Sequence, residues 1–402
     1  MIYRWLAMLV AAVWSAAFVS IGAAHAQPGP WNLEALNKPP RIDWLDKDGS
    51  LRRLLYESEP YHGKPTRVFA YYAQPEKFEG KLPAMVLVHG GGGTAFPEWA
   101  QLWARRGYIA IAMDLAGHGE GRKRLPDGGP DQDDNGRFKQ GELKDMWSYH
   151  AVAAVIRGHS LLRSLPNVDP ERIGVTGISW GGYLTCIVAG LDERFKVAVP
   201  VYGCGFIHSN SAWIPTFAKM SKDWHKTWEK NFDPSRYLGQ SKMPVLFVNG
   251  TNDFAYPLDS YQKSYRLVKK RNLCITVNMP HGHPQGWAPK EIGLFVDQHL
   301  RGGKALFRFD APDVRVERKD GAITVAILQT HEIKSISVHW TTDTSSPWQK
   351  RKWESRQAER MVGNATDFYA VSLPGERPLI YFLTATDERG AVVSTEHEML
   401  SK

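Results

Sequence analysis

The sequence predicts an α/β protein: a mostly parallel, eight-stranded sheet covered by helices, followed by a smaller all-β sandwich. Three observations carry this expectation. From about Gly49 to Leu300, short apolar runs alternate with helix-period segments, the order that builds parallel strands joined by crossover helices. Several runs, such as 197–202 and 245–249, are continuously apolar rather than alternating, which marks strands buried on both faces. After Arg301-Gly302-Gly303 the helical period stops, and short alternating segments between turn residues take over.

Each element follows in order. Residues 1–26 read as an export signal. Arg4 supplies the positive start, residues 5–21 carry no charge, and Ala24-His25-Ala26 fits the small-x-small cleavage rule. Cleavage after Ala26, a periplasmic or secreted location and no stable membrane partner are expected; an uncleaved anchor is the competing reading of the same run. Residues 27–302 form the predicted catalytic unit. Its strands are expected at 51–57, 66–72, 84–89, 109–114, 173–177, 197–202, 245–249 and 274–279, and its helices at 95–106, 143–164, 181–191, 256–270 and 289–300. Residues 308–402 hold the sandwich, of fibronectin- or immunoglobulin-like proportions. Strands are expected at 314–317, 323–328, 333–340, 368–373, 379–386 and 392–397, with a hairpin turn at Asp387-Glu388-Arg389-Gly390.

Composition excludes several classes. Hydrophobic residues at 43% and charged residues at 23% are ordinary for a globular chain, against disorder and against a polytopic membrane protein. The net charge of +8 is spread along the chain without a basic stripe, so no nucleic-acid partner is expected. Three cysteines allow at most one disulfide. Cys186 and Cys204 are the pair that could meet, although three buried thiols are the preferred reading. The 15 tryptophans are the compositional excess.

The chemistry centres on Ile173-Gly174-Val175-Thr176-Gly177-Ile178-Ser179-Trp180-Gly181-Gly182. A strand that turns sharply into a helix strains the residue at the turn, and neighbours without side chains avoid the resulting clash. Ser179 is thereby lifted clear at a helix N-terminus and becomes the candidate nucleophile. Such a nucleophile needs donors for the oxyanion. Trp180 N–H is one candidate, and Gly91 or Gly92 N–H of His89-Gly90-Gly91-Gly92-Gly93 the other. That glycine run lacks the spacing and lysine of a phosphate-binding loop. The acid is expected after a later strand, at Asp253, with Asp259 as competitor; the base follows the last strand, at His281, with His283 as competitor. His89 and His118 are read as packing or loop-ordering residues. No cofactor is expected. No metal is assigned either, although Asp131-x-Asp133-x-Asn135-Gly136 with Glu142 satisfies a calcium-loop spacing. Pro126 and Pro130 deny that loop its entering helix, and a polar excursion beside the site is preferred.

With these motifs in place, residues 66–300 resemble an α/β-hydrolase. The similarity is strongest to the dienelactone hydrolase, prolyl oligopeptidase and acetyl xylan esterase branches, through Val168-Asp169-Pro170-Glu171-Arg172-Ile173-Gly174 and Asn249-Gly250-Thr251-Asn252-Asp253. The order Ser179, Asp253, His281 is the one this fold uses. The resemblance implies an acyl-enzyme esterase. The departures from the pattern are Ser179 where dienelactone hydrolases have Cys, Trp180 where glucuronoyl esterases have Arg, and no room for an oligopeptidase propeller. Residues 206–237 are expected to roof the cleft, with Trp213, Trp224, Trp228 and, from elsewhere, Trp287 as substrate-binding faces. An exported deacetylase of acylated carbohydrate is the expected function, its partner a small-molecule or polysaccharide ester. A serine peptidase is the alternative enzyme, and a non-catalytic carbohydrate-binding or adhesion protein the alternative of another class.

Overall fold

A computed structural model describes residues 29–319, 321–328 and 331–401. The export signal, with Trp5 and Trp14, lies outside the described residues.

One nine-stranded sheet forms the first part. Its strands are β1 (Ile42–Trp44), β2 (Leu51–Tyr61), β3 (Lys64–Ala73), β4 (Leu82–Val88), β5 (Ile109–Met113), β6 (Val168–Ile178), β7 (Val197–Val201), β8 (Val245–Gly250) and β9 (Arg271–Thr276), in spatial order β1-β2-β3-β5-β4-β6-β7-β8-β9. Neighbours from β5 through β9 pair in parallel, and β1, β2 and β3 join antiparallel. The parallel strands are buried along nearly their whole length, as their unbroken apolar runs require. The ninth strand, β1, has three half-buried residues and too little pattern to be read from sequence. The last strand also differs from expectation: β9 starts at Arg271 and ends at Thr276. Beyond it the chain turns at Asn278, whose φ is 55° and whose N–H donates to Thr251 Oγ1 at 3.1 Å, so 277–279 cannot continue a ladder.

Among the described residues, ten α-helices accompany the sheet: α1 (Leu33–Leu36), α2 (Pro97–Arg105), α3 (Asp134–Phe138), α4 (Trp147–Ser164), α5 (Trp180–Leu191), α6 (Ile214–Phe217), α7 (Lys222–Phe232), α8 (Leu258–Tyr265), α9 (His283–Trp287) and α10 (Lys290–Leu300). The long α4 is buried on nearly every side, because it packs on the sheet and on α5 at once. Expected helix 256–270 is shortened to α8, since Arg266 closes it and Leu267 and Val268 follow in tighter turns.

The C-terminal part is two antiparallel sheets. One contains β10 (Val314–Lys319), β11 (Ala322–Leu328), β15 (Thr366–Ser372) and β14 (Glu359–Val362). The other contains β13 (Glu354–Gln357), β12 (Ile333–Thr341), β16 (Leu379–Asp387), β17 (Val392–Ser394) and β18 (Glu398–Leu400). Inward positions alternate with outward ones along β11 and β15, and the Tyr369 hydroxyl donates to Ile333 O across the sheets at 2.8 Å. This region also covers the open edge of β9: Ile275 N–H donates to Ser394 Oγ at 3.0 Å, and Glu396 takes Arg266 and Arg271 at 2.7 Å each. An uncovered edge strand would be a template for pairing with other chains.

Candidate active site

Strands β4 and β6 are adjacent and parallel, with Val88 opposite Gly177. The loops that leave their C-terminal ends therefore emerge side by side, at the crevice where strand order reverses. The glycine loop after β4 and Ser179 after β6 are neighbours for this reason. A Cβ built on Gly90 would lie 2.9 Å from Ser179 Cβ, and one built on Gly91 would lie 3.1 Å from Trp180 Cδ1.

Ser179 has φ 58° and ψ −116°, a sparsely populated conformation for a residue with a side chain. Its N–H donates to Val201 O at 2.8 Å and its carbonyl opens α5 by accepting Tyr183 N–H at 2.9 Å. The serine is thus pinned from both sides at the head of a helix.

Asp253 is buried three residues beyond β8, and its Oδ1 accepts Ala255 N–H at 2.9 Å and Tyr256 N–H at 2.7 Å. Its other oxygen, Oδ2, lies 2.6 Å from His281 Nδ1. That pairing leaves His281 Nε2 as the ring's other nitrogen. Tyr202, directly after β7 with φ 62°, stacks on the His281 ring at a centroid distance of 4.4 Å and donates its hydroxyl to Pro280 O at 2.7 Å. Asp259, the competing acid, instead accepts from the Asn210 amide at 3.0 and 2.9 Å and from Ser260 N–H at 2.9 Å.

His283, the competing base, is engaged with the glycine loop, where its Nε2 accepts Gly90 N–H at 2.9 Å. Burial, with His89, His281 and Arg122 adding to it, lowers its pKa to about 4, so the ring is neutral and able to accept. His89 acts from the other side of the loop. Its Nδ1 lies 2.7 Å from Gly90 O and its Nε2 accepts Leu115 N–H at 2.8 Å. Arg122 donates to Gly92 O. With the Gly90 N–H engaged, and Gly93 N–H donated to Gly90 O at 3.1 Å, the Gly91, Gly92 and Trp180 N–H groups find no acceptor among the described residues.

The tryptophan expectation needs correcting in part. Trp224 and Trp228 are buried, and their indole N–H groups donate to Phe138 O at 2.7 Å and Arg137 O at 2.9 Å. They tie α7 to the segment that carries Arg137 and Phe138 and are buried rather than open to a substrate. Trp213 is half-buried with its ring 4.5 Å from Trp180, and half-buried Trp287 stacks on Trp99 at 5.3 Å. An aromatic that the sequence pattern did not single out is Phe254: 58% exposed, it sits 4.9 Å from the His281 ring. Its place directly after Asp253 was the available signal.

The remaining expectations resolve locally. Cys186, Cys204 and Cys274 are free buried thiols. Asp133 Oδ1 caps α3 through Gly136 N–H and Asp131 Oδ1 accepts Gln132 N–H, each at 2.6 Å, so the calcium-like spacing serves a helix start. No group of three His, Cys, Asp or Glu that could hold a metal occurs among the described residues. His118 N–H donates to Asp114 Oδ1 at 2.8 Å, a loop-ordering contact.

Comparison with known proteins agrees with this fold. Residues 53–215 match the sequence model of the Acetyl xylan esterase (AXE1) family. The acetyl xylan esterase of Paenibacillus sp. R4 superposes with a TM-score of 0.53 at 21% identity, over 67% of this chain and 92% of that one. Acetyl xylan esterase 1 of Thermoanaerobacterium sp. JW/SL YS485 gives 0.53 at 19%, over 68% and 95%. The chain therefore has the α/β-hydrolase fold. Among curated relatives, an uncharacterized peptidase of Bacillus subtilis is 28% identical over 58% of this chain and 37% of its own length. An acetyl esterase of Xylanibacter ruminicola is 26% identical over 52% of each. The chain spans less than half the length of the first curated relatives it matches.

Proposed function

We propose that the protein is an exported serine esterase that removes acyl groups from carbohydrate through an acyl-enzyme formed on Ser179. The observation that carries the reading is the Asp253–His281 pair at 2.6 Å, on the same sheet edge as a strained serine at a helix start. In the proposed reaction His281 Nε2 takes the Ser179 proton as Oγ attacks the ester carbonyl, and Asp253 stabilises the imidazolium. Trp180 N–H and Gly91 or Gly92 N–H receive the oxyanion. The imidazolium returns its proton to the leaving alkoxide, and water then repeats the sequence to release the acid. Trp213, Trp287 and Phe254 are the faces proposed for a sugar ring. The kinship to esterases supports ester over amide chemistry; the peptidase relative keeps amides as the second reading. The export signal of residues 1–26 is part of the proposal, tested by N-terminal sequencing of the secreted form.

The test is turnover of 4-nitrophenyl acetate and acetylated xylan by Ser179→Ala and the parent. Nearly complete loss in a folded variant is expected, on the order of 10³-fold or more. Parent-level turnover by the variant would remove the assignment.

A further inference from the structure

We propose that Arg137 selects the substrate: the ester cleaved at Ser179 carries a carboxylate beside its scissile bond, and Arg137 binds it. The proposal deepens the esterase reading above and rests on it.

Position is the first ground. The Arg137 guanidinium lies over the Trp180 ring at 4.8 Å, and Trp180 directly follows the nucleophile. A Cβ on Gly91 would stand 3.8 Å from Arg137 Nη1 and 3.8 Å from Trp180 Nε1. The guanidinium, the indole N–H and the glycine loop thus meet at one place, at the oxyanion end of the site.

The second ground is the hydrogen-bond inventory. Arg137 Nε and Trp180 Nε1 are buried and have no hydrogen-bond partner among the described residues. The buried Tyr256 hydroxyl has none either, and it lies within electrostatic reach of Arg137. Arg137 makes one ion pair, from Nη2 to Asp134 Oδ1 at 2.8 Å, and the Asp134 side chain is 70% exposed. That pair faces solvent and is screened; it leaves Nε without a partner. Buried polar groups are almost always satisfied. Arg137 Nε and Trp180 Nε1 can only donate, and the Tyr256 hydroxyl can donate as well as accept, so a group of acceptors complements all three. A carboxylate is planar, charged and matched to the guanidinium fork in two parallel bonds.

The third ground is rigidity. The Arg137 carbonyl is held by Trp228 and the next carbonyl by Trp224, while the Phe138 ring packs 5.7 Å from Trp180. A surface arginine paired only with Asp134 would need none of this. The two buried indoles fix the segment so that the guanidinium arrives at Gly91 already oriented.

The carboxylate can belong to the acyl part, as in a half-ester of a dicarboxylic acid, or to the alcohol part, as in an acylated uronic acid. Two substrate pairs separate these. Mono-4-nitrophenyl succinate against 4-nitrophenyl pentanoate places the charge on the acyl side; 4-acetoxybenzoate against its methyl ester places it on the alcohol side. The parent is expected to prefer the acidic member of one pair. In Arg137→Gln the acidic-to-neutral ratio of kcat/KM falls by about tenfold or more, mostly through KM, and Arg137→Lys keeps part of the preference. A ratio measured within one variant is insensitive to how much of it is folded. Absence of any acidic preference in the parent, or a ratio that Arg137→Gln leaves unchanged, overturns the proposal. Ser179→Ala in the same assays separates the two readings. If it retains turnover, the esterase reading fails; if it is inactive and the ratio does not respond to Arg137→Gln, only the carboxylate proposal fails.

Discussion

Ser179 can hold its strained turn because Gly177 and Gly181 let three backbones pass through one small space. A Cβ on Gly181 would lie 1.9 Å from Val88 O, and a Cβ on Gly177 would lie 2.2 Å from Gly181 O. Both neighbours are main chain, with no rotamer to relieve the overlap. Gly181→Ala is therefore expected to destabilise at the upper end of the ~1–3 kcal/mol typical of overpacking, or beyond it. Gly91→Ala meets only side-chain atoms, at 3.1 Å and 3.8 Å, and should fold nearly as the parent does. Thermal unfolding of the two variants side by side checks this, and equal midpoints would contradict it. The elbow was legible in the sequence because its glycines answer a local steric demand. The rest of the site was not legible in the same way. His283 reaches Gly90 across 193 residues of chain, and the positive φ falls on Tyr202 rather than on Gly203 beside it.

The helix α7 and the 131–142 segment stabilise one another, which explains why neither reads clearly alone. Trp228 is fully buried and bonds to Arg137 O, and Trp224 bonds to Phe138 O. Spacing alone made residues 131–142 resemble a cation loop and made these tryptophans resemble a binding face. Both impressions change once the two segments are packed together, since each satisfies the other's polar atoms. Trp228→Ala should cost about 3–5 kcal/mol, whereas Trp228→Phe keeps most of the apolar burial and should lose about 1 kcal/mol with its hydrogen bond. Urea unfolding measures both; similar losses would mean that the indole N–H, rather than ring volume, holds the two segments together. The strands β13 and β14 show the converse limit of sequence pattern. Every residue in them is exposed, so no alternation marked them, and they form because β12 and β15 offer edges to pair with.

Across the whole molecule, burial of histidine couples stability to pH. Burial lowers the pKa of His150, His283, His339 and His397 to about 4, and lowers His89, His159 and His299 as well. Asp233 raises His208. A ring whose folded pKa lies near 4 stays neutral in the native state while the unfolded chain takes up its proton near 6.5. The unfolded state therefore binds more protons between these values, and stability falls as pH drops from about 6.5 to 4. His208 acts in the opposite sense: its contribution is complete below its unfolded pKa and is lost as pH rises through the raised one. One such group offsets little against four strongly lowered ones. Carboxylates held down by partners, such as Asp46 and Asp169, lose their contribution only as pH falls below their unfolded values near 4, outside this window. By pH 5 each strongly lowered histidine should remove on the order of 1–2 kcal/mol, against a total stability of ~5–15 kcal/mol for a typical fold. His150 and His283 belong to the part built on the nine-stranded sheet and His339 and His397 to the C-terminal sheets, so both parts should weaken together in mild acid. Urea midpoints at pH 7.5 and 5.0 are expected to differ clearly, and His397→Gln with His339→Gln should reduce the difference for the C-terminal sheets. Midpoints that coincide at the two pH values would show that these rings protonate without opposing the fold.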